Sequence, residues 1–266
     1  MSQSLSYFIV DAFADRPFSG NPAAVVPLDS WPPDFWLQNV AMEMNLSETA
    51  YFVPDTRGFH LRWFTPKLEV DLCGHATLAT AKALAHMGQL AKGSEVVFST
   101  RSGLLRASRI DDRFQLNFPL TAQEKEEPPA GLIEALNVHP LYVGRSRFDY
   151  LVEVASESIV RSLSPDFKTL ISVNCRGVIV TSRSDDSRFD FVSRFFAPSA
   201  GIDEDPVTGS AHCCLAGFWA SRLDKAAMVG YQASARGGSV RVEVRGDRVL
   251  LGGEAVIVAQ GELLIV

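Results

Sequence analysis

Cysteine is scarce in this chain, four among 266 residues, and none of the four (Cys73, Cys175, Cys213, Cys214) forms a Cys-x-x-Cys pair. That excludes a disulfide framework and suits thiols kept reduced in a cytoplasm, the location expected here. Positive charge is short as well: 25 Lys and Arg against 31 Asp and Glu leave a net charge of −6. Such a balance offers no electrostatic case for nucleic acid or anionic lipid. The histidines at 60, 75, 86, 139 and 212 make no His-Glu-x-x-His or His-x-His spacing, so no metal site is expected. No P-loop or Gly-x-Gly-x-x-Gly stretch is present to suggest a nucleotide. No apolar run approaches the roughly 18–20 residues of a membrane span, and the N-terminal residues lack the pattern of a signal peptide.

What the chain does have is core-forming mass: 47% hydrophobic residues and 17 phenylalanines. At about 150 residues per domain its length suggests two domains. It also repeats itself. Ser99-Thr-Arg-Ser-Gly-Leu-Leu-Arg106 lies on Ser234-Ala-Arg-Gly-Gly-Ser-Val-Arg241 at an offset of 135, with seven identities in the nineteen pairs from 99 to 117. The same offset places Gly74 on Gly209, Ala76 on Ala211 and Ala81 on Ala216. Upstream, Arg62-Trp-Phe-Thr-Pro66 matches Arg194-Phe-Phe-Ala-Pro198 at an offset of 132, so one loop absorbs three residues. Three matches in order indicate two copies of one structural unit. The charged, proline-rich stretch Gln123–Pro129 reads as a linker, about 121–129, between units of about 1–120 and 130–266, with packing of the last strands, Ala255–Val258 and Leu263–Val266, onto the first unit as the alternative.

Each unit reads alike. Tyr7–Val10, Ala23–Val26 and Leu61–Phe64 are short apolar strand signals, as are the alternating Leu104–Ile110 and Val240–Val244. From His75 to Leu90, and again from Ser210 to Leu223, small and apolar residues cover nearly the whole circumference of a helix. A helix apolar all round belongs inside a core. The pattern predicts a curved sheet wrapped around a central helix, once per unit.

Both helices start just after a glycine, Gly74 or Gly209, where unspent backbone N–H groups attract an anion. Two such starts, facing each other across an interdomain cleft, would suit a small carboxylate. Ordinary capping by Thr77 and Ser210 is the plain alternative. Glu48, ahead of a buried strand, can serve as an acid or base if its surroundings raise its pKa, or can be a surface glutamate. Asp205 stands before a proline and can be simply a turn residue. His75 fits a proton relay or a capped helix position. Cys73 is a candidate thiol base, whereas Cys213 and Cys214 read as core.

The motifs Asp11-Ala-Phe, Gly20-Asn-Pro-Ala-Ala-Val-Val26, Asn45-Leu-Ser-Glu-Thr49, Asp71-Leu-Cys-Gly-His-Ala-Thr77 and Glu204-Asp-Pro-Val-Thr-Gly-Ser-Ala-His212 occur in that order. Together with Arg62-Trp-Phe-Thr-Pro66 they resemble the PhzF-like isomerases of phenazine biosynthesis. The resemblance spans nearly the whole chain and implies an α+β architecture: two pseudo-symmetric diaminopimelate epimerase-like units, each a curved sheet around a central helix. It also implies a cofactor-free, homodimeric isomerase that moves protons by general acid–base catalysis on a small carboxylate-bearing metabolite. By resemblance Glu48 is the acid/base, and His75, Asp205 and Ser210 are its catalytic companions. Gly74 and Gly209 offer backbone donors, and Cys73, Ala76 and Thr208 complete the substrate-binding set.

Diaminopimelate epimerases and proline racemases resemble this architecture but use two opposed cysteines. Cys73-Gly-His75 matches the first of their motifs. Pro206-Val-Thr-Gly209 places proline where the second thiol belongs, which disfavours a two-thiol racemase. A lyase or dehydratase on the same scaffold and a non-catalytic metabolite-binding protein are the competing readings.

Overall fold

In the computed structural model, which describes residues 4–264, the short apolar runs become strands and the two alanine-rich segments become buried helices. The chain runs β1 (Ser4–Ala12), β2 (Asn21–Pro27), α1 (Asp34–Met44), β3 (Glu48–Asp55), β4 (Gly58–Phe64), β5 (Glu69–Val70), α2 (Gly74–His86), β6 (Glu95–Thr100), β7 (Gly103–Ile110) and β8 (Arg113–Pro119). It continues with β9 (Gln123–Lys125), α3 (Leu132–Leu136), β10 (Tyr142–Ser146), β11 (Asp149–Glu153), α4 (Glu157–Ser162), α5 (Phe167–Leu170), β12 (Gly177–Arg183) and β13 (Phe191–Ala197). It ends with β14 (Ile202–Asp205), α6 (Gly209–Leu223), β15 (Ala227–Gln232), β16 (Gly238–Arg245) and β17 (Arg248–Leu264). These elements form two compact units, Met1–Asn117 with Gly252–Val266, and Phe118–Leu251.

Both units use one wiring. In the first, β1 and β2 pair antiparallel, β2 and β3 parallel, β3 and β4 antiparallel, β4 and β6 parallel, and β6 and β7 antiparallel. In the second, β10, β11, β12, β13, β15 and β16 repeat that sequence of pairings. A parallel pair needs a crossover, and helices supply it: α1 and α2 in the first unit, α4–α5 and α6 in the second. The repeat is visible residue by residue, since β7 and β16 are the same eight positions 135 apart. Even the ion pairs recur. Arg62 grips Glu69 through Nε and Nη2 at 2.7 Å each, and Arg194 grips Glu204 in the same way at 2.7 and 2.8 Å. The three extra residues of the second copy lie between Pro198 and Glu204, where a 3₁₀ turn, Pro198–Ala200, ends on Gly201.

Burial on both faces explains the near-continuous apolar strands. In the first unit Val26, Tyr51, Val53 and Phe64 pack with Leu37 and Ala41 of α1. Their neighbours Val25, Ala50, Phe52 and Trp63 are buried on the opposite face, and α2 contacts β1, β2 and β3. In the second unit Val152, Val178, Val180 and Phe196 pack under α3–α5, while α6 lies against β15 and β16. The expected α+β build, a curved sheet around a central helix in each unit, is the observed one.

The domain limits differ from the sequence expectation. Residues 252–264 belong to the first unit, the alternative placing of the last strand, because β17 pairs antiparallel with β1 from Ala255 to Leu264. The stretch 121–129 is also not a free linker. Gln123–Lys125 pairs with β10, and Glu126 N–H donates to Val143 O, so its charged side chains decorate a paired edge. The α2 helix stops at His86 instead of Leu90, where Gly88 takes φ +77.

Candidate active site

In the first unit, Glu48 opens β3 and alternates onto the same face as the buried Ala50 and Phe52, which is the α2 side. His75 sits in the first turn of α2, and Cys73 is that helix's N-cap residue. Strand and helix thus bring together three residues that the sequence separates. Nε2 of His75 lies 3.0 Å from Oε2 of Glu48, and Nδ1 lies 3.6 Å from the Cys73 sulfur. The Glu48–His75 contact is an ion-pair approach without an aligned hydrogen bond, so the buried Oε2 keeps a lone pair uncommitted.

Two residues outside the predicted set hold the ring. Asn21 Nδ2 lies 3.3 Å from His75 Nδ1, and Ser47 Oγ donates to Asn21 Oδ1 at 3.2 Å. With the amide's NH₂ turned toward Nδ1, as drawn, a neutral His75 carries its ring proton on Nε2. Asn21 reaches the ring because the chain reverses tightly ahead of β2. Gly20 has φ +65, and a Cβ there would meet Ala12 O at 2.1 Å. The only sequence signal for Asn21 is its place between that glycine and Pro22.

Burial raises the Cys73 thiol, and the Glu48 carboxylate raises it further, so the thiol is neutral near pH 7. For His75, burial opposes the charge, but the Cys73 sulfur and the Glu48 carboxylate outweigh it and push the imidazole well up. With Cys73 neutral, Glu48 supplies the attraction. The stabilising contribution of His75 is therefore full below the free-imidazole value and lost as pH climbs through the raised one.

The second unit carries a different set at the equivalent helix start. Thr208 is the N-cap residue of α6, the place Cys73 holds on α2. By helix start, then, the second copy's counterpart of the thiol is the Thr208 hydroxyl rather than Pro206. Thr208 Oγ1 donates to Asp205 Oδ2 at 2.5 Å. Gln232, fully buried on β15, accepts from Thr208 N–H at 2.9 Å and donates to Asp205 O at 2.8 Å. Ser210, in the first turn, accepts from Arg176 Nη2 at 3.0 Å, and Arg176 is gripped through Nε and Nη2 by the buried Asp149. Burial raises the Asp149 carboxyl against the pull of Arg176.

Sequence reasoning missed Gln232, Arg176 and Asp149. Gln232 had a signal, a polar residue at the buried phase of an alternating strand, whereas Arg176 and Asp149 had none. The capping reading fails: Thr77 Oγ1 donates back to Cys73 O, and neither helix start has a side-chain cap. Gly74, Ala76 and Gly209 lie in those uncapped first turns, whose N–H groups favour an anion. Cys213 and Cys214 are buried within α6, and burial pushes both thiols up to about 12.

A match to the family model described as phenazine biosynthesis-like protein covers residues 10–261. The chain belongs to the PhzC/PhzF family. An uncharacterized isomerase of Halalkalibacterium halodurans is 49% identical over 260 residues, 97% of this chain and 98% of that one. A PhzF-family crystal structure from Enterococcus faecalis is 42% identical and superposes with a TM-score of 0.94, covering 98% of this chain and 99% of its own. Beyond the family, a hydroxyproline epimerase from Agrobacterium vitis has a TM-score of 0.64 at 11% identity, over 99% of this chain and 94% of its own, a likeness of fold alone. Three relatives at 48–51% identity are named uncharacterized isomerases, which supports an isomerase-type enzyme. Among the described residues, no helix is long and apolar enough to cross a membrane.

One residue of the second motif has a pH signature of its own. His212 is fully buried in α6, with Nδ1–H donating to Thr208 O at 2.9 Å and Nε2 without a partner, and burial lowers its pKa to about 4. A depressed imidazole contributes stability that is present above the unfolded value near 6.5 and lost as pH falls toward 4. The shift corresponds to about 3 kcal/mol. Urea unfolding at pH 7 and pH 4.5 should show a clearly smaller acid loss for His212→Gln than for the native chain. Equal losses would place the acid sensitivity elsewhere.

Proposed function

We propose that the chain is an isomerase that moves a proton on a small carboxylate-bearing metabolite without a cofactor, with Glu48 as the general acid/base. The observation that carries this reading is the approach of Glu48 Oε2 to His75 Nε2 at 3.0 Å in a nearly buried pocket of side chains. Glu48 takes a proton from carbon through the lone pair that no hydrogen bond consumes, and returns it at another atom of the same substrate. His75 stands beside it with a proton on Nε2 and stabilises the carboxylate form. Cys73 is assigned no proton transfer, because burial and Glu48 keep it a thiol.

The uncapped turn that begins at Gly74 and includes Ala76 is assigned the carboxylate, and the matching turn of the second unit, with Thr208, Gly209 and Ser210, is assigned the same kind of contact. Asp205, tied to Thr208, is assigned to orienting the substrate. The family kinship supports the class of reaction, and no observation favours a lyase or a purely binding role over it. The test is mass spectrometry of small carboxylic acids incubated with the chain in heavy water. Deuterium should enter the turned-over acid with the native chain and fail to enter with Glu48→Gln. Label that enters equally with both removes Glu48 from the mechanism.

A further inference from the structure

The second unit holds an arginine whose hydrogen-bonding capacity is only partly used. Arg176 immediately precedes β12, and its guanidinium is fixed along one edge and packed against two rings. Nε and Nη2 are gripped by the buried Asp149 carboxylate, with Nε 2.9 Å from Oδ1. The guanidinium carbon stands 5.1 Å from the centre of the Phe148 ring and 5.7 Å from that of Phe195. The backbone is tied as well, since Arg176 N–H donates to Phe148 O at 2.9 Å. Glycine follows at 177 because a Cβ there would meet the Phe195 ring at 2.3 Å. A guanidinium held in this way keeps its plane and its charge before any ligand arrives.

The donors left over lie beside Ser210. Asp149 occupies the Nε–Nη2 edge, so the edge formed by Nη1 and Nη2 stays open, and the side chain is 39% exposed. Nη2 donates to Ser210 Oγ at 3.0 Å, while Nη1 makes no hydrogen bond or ion pair among the described residues. Because the Ser210 oxygen accepts from Arg176, its own proton is left to donate elsewhere. Among the described residues no acceptor takes it. We propose that Arg176 is a substrate-binding residue that selects a carboxylate, with Nη1 holding one carboxylate oxygen and the Ser210 hydroxyl the other.

The assignment rests on the proposed carboxylate-bearing substrate and gives that group a charged partner in the second unit. Asp149 does not compete for it, because both of its oxygens are engaged on the opposite edge of the guanidinium. Its part is to hold the fork in place, as a buried carboxylate does for a positioned arginine. A neutral amide of the same shape as the carboxylate offers a single acceptor and no charge. The open edge therefore discriminates by charge as well as by shape, and hydrogen bonds to an ion are about twice as strong as neutral ones.

Propionate and propionamide are the probes, and NMR of the nitrogen-labelled full chain reads them at the Arg176 Nε–H and the Ser210 backbone N–H. Propionate should shift both signals and bind at least about tenfold tighter than propionamide. Arg176→Gln would strand the buried Asp149 charge, so the variant is Arg176→Lys, which keeps a cation there and loses the Nη1 donors. In that variant the Ser210 signal should report propionate binding at least about tenfold weaker, with propionamide unchanged. A general loss of structure would instead weaken both probes alike. Arg188→Gln, at an exposed pair with Asp186, should bind both as the native chain does. Neither readout needs turnover, so a failed deuterium test at Glu48 leaves this result standing, and the reverse holds too. The proposal is overturned if propionate shifts neither signal, if the native chain binds both probes equally, or if Arg176→Lys keeps its propionate affinity. The comparison of probes on the native chain decides the matter if Arg176→Lys does not fold.

Discussion

Replacing Glu48 by glutamine is expected to slow deuterium entry into the substrate by about 10²- to 10⁴-fold, the range that a positioned acid or base contributes. The substitution preserves shape and polarity, so the far-ultraviolet circular dichroism should not change. The same variant tests the electrostatics of the cluster with no substrate present. His75 is pushed up because Cys73 and Glu48 outweigh its burial. With glutamine at 48 the neutral thiol offers no charge, burial acts unopposed, and the imidazole should titrate lower than in the native chain. An NMR titration of the ring protons reads this directly. If the His75 titration stays where it was, the Cys73 sulfur, not Glu48, carries the charge that holds it.

The largest expected loss of stability comes from Trp219→Ala, at about 3–5 kcal/mol. Trp219 is fully buried in α6, stacks on Phe191 at 6.0 Å and 8°, and meets Phe218 edge-on at 5.3 Å. Its Nε1–H donates to Thr181 Oγ1 at 3.0 Å, and Thr181 passes its own proton to Val192 O. Alanine would therefore leave a ring-sized void between α6 and β13. Trp219→Phe keeps most of the ring and loses one hydrogen bond, so it should cost about 1 kcal/mol beyond the lost volume. Urea midpoints of the two variants separate cavity from hydrogen bond. A loss under about 1 kcal/mol for alanine would mean that the second unit's core closes around the gap.

Fold and site were legible in the sequence to different depths. The 135-residue offset foretold the two units because the duplicated turns and strands keep their glycines and arginines, as at Gly103 and Gly238. The burial of α2 and α6 was readable because alanine and cysteine on every side leave no polar face for water. The 3.0 Å approach of Glu48 to His75 was not readable from residues alone, since it depends on β3 running parallel to β2 beside the start of α2. Only the family resemblance placed both residues in one site. Asn21, Gln232 and Arg176 escaped for the same reason: each acts on a residue 24 or more positions away. Thr208 was overlooked as the counterpart of Cys73 because motif spelling pointed to Pro206, while the helix start fixes the register. The final strand could not be placed by pattern, because apolar residues at 255–258 fit either unit.

That final strand has a consequence for synthesis on the ribosome. The second unit is one continuous stretch, whereas the first needs β17 up to Leu264 to complete its sheet beside β1. Nine residues of β1 find their partners some 250 positions later, from Ala255 to Leu264. Contacts that distant in sequence form late. The nascent chain therefore carries an unfinished N-terminal sheet, with the β1 edge unpaired on that side, while the unit made after it can already close. Translation must pass Leu264 before the half of the molecule that bears Glu48 and His75 is whole.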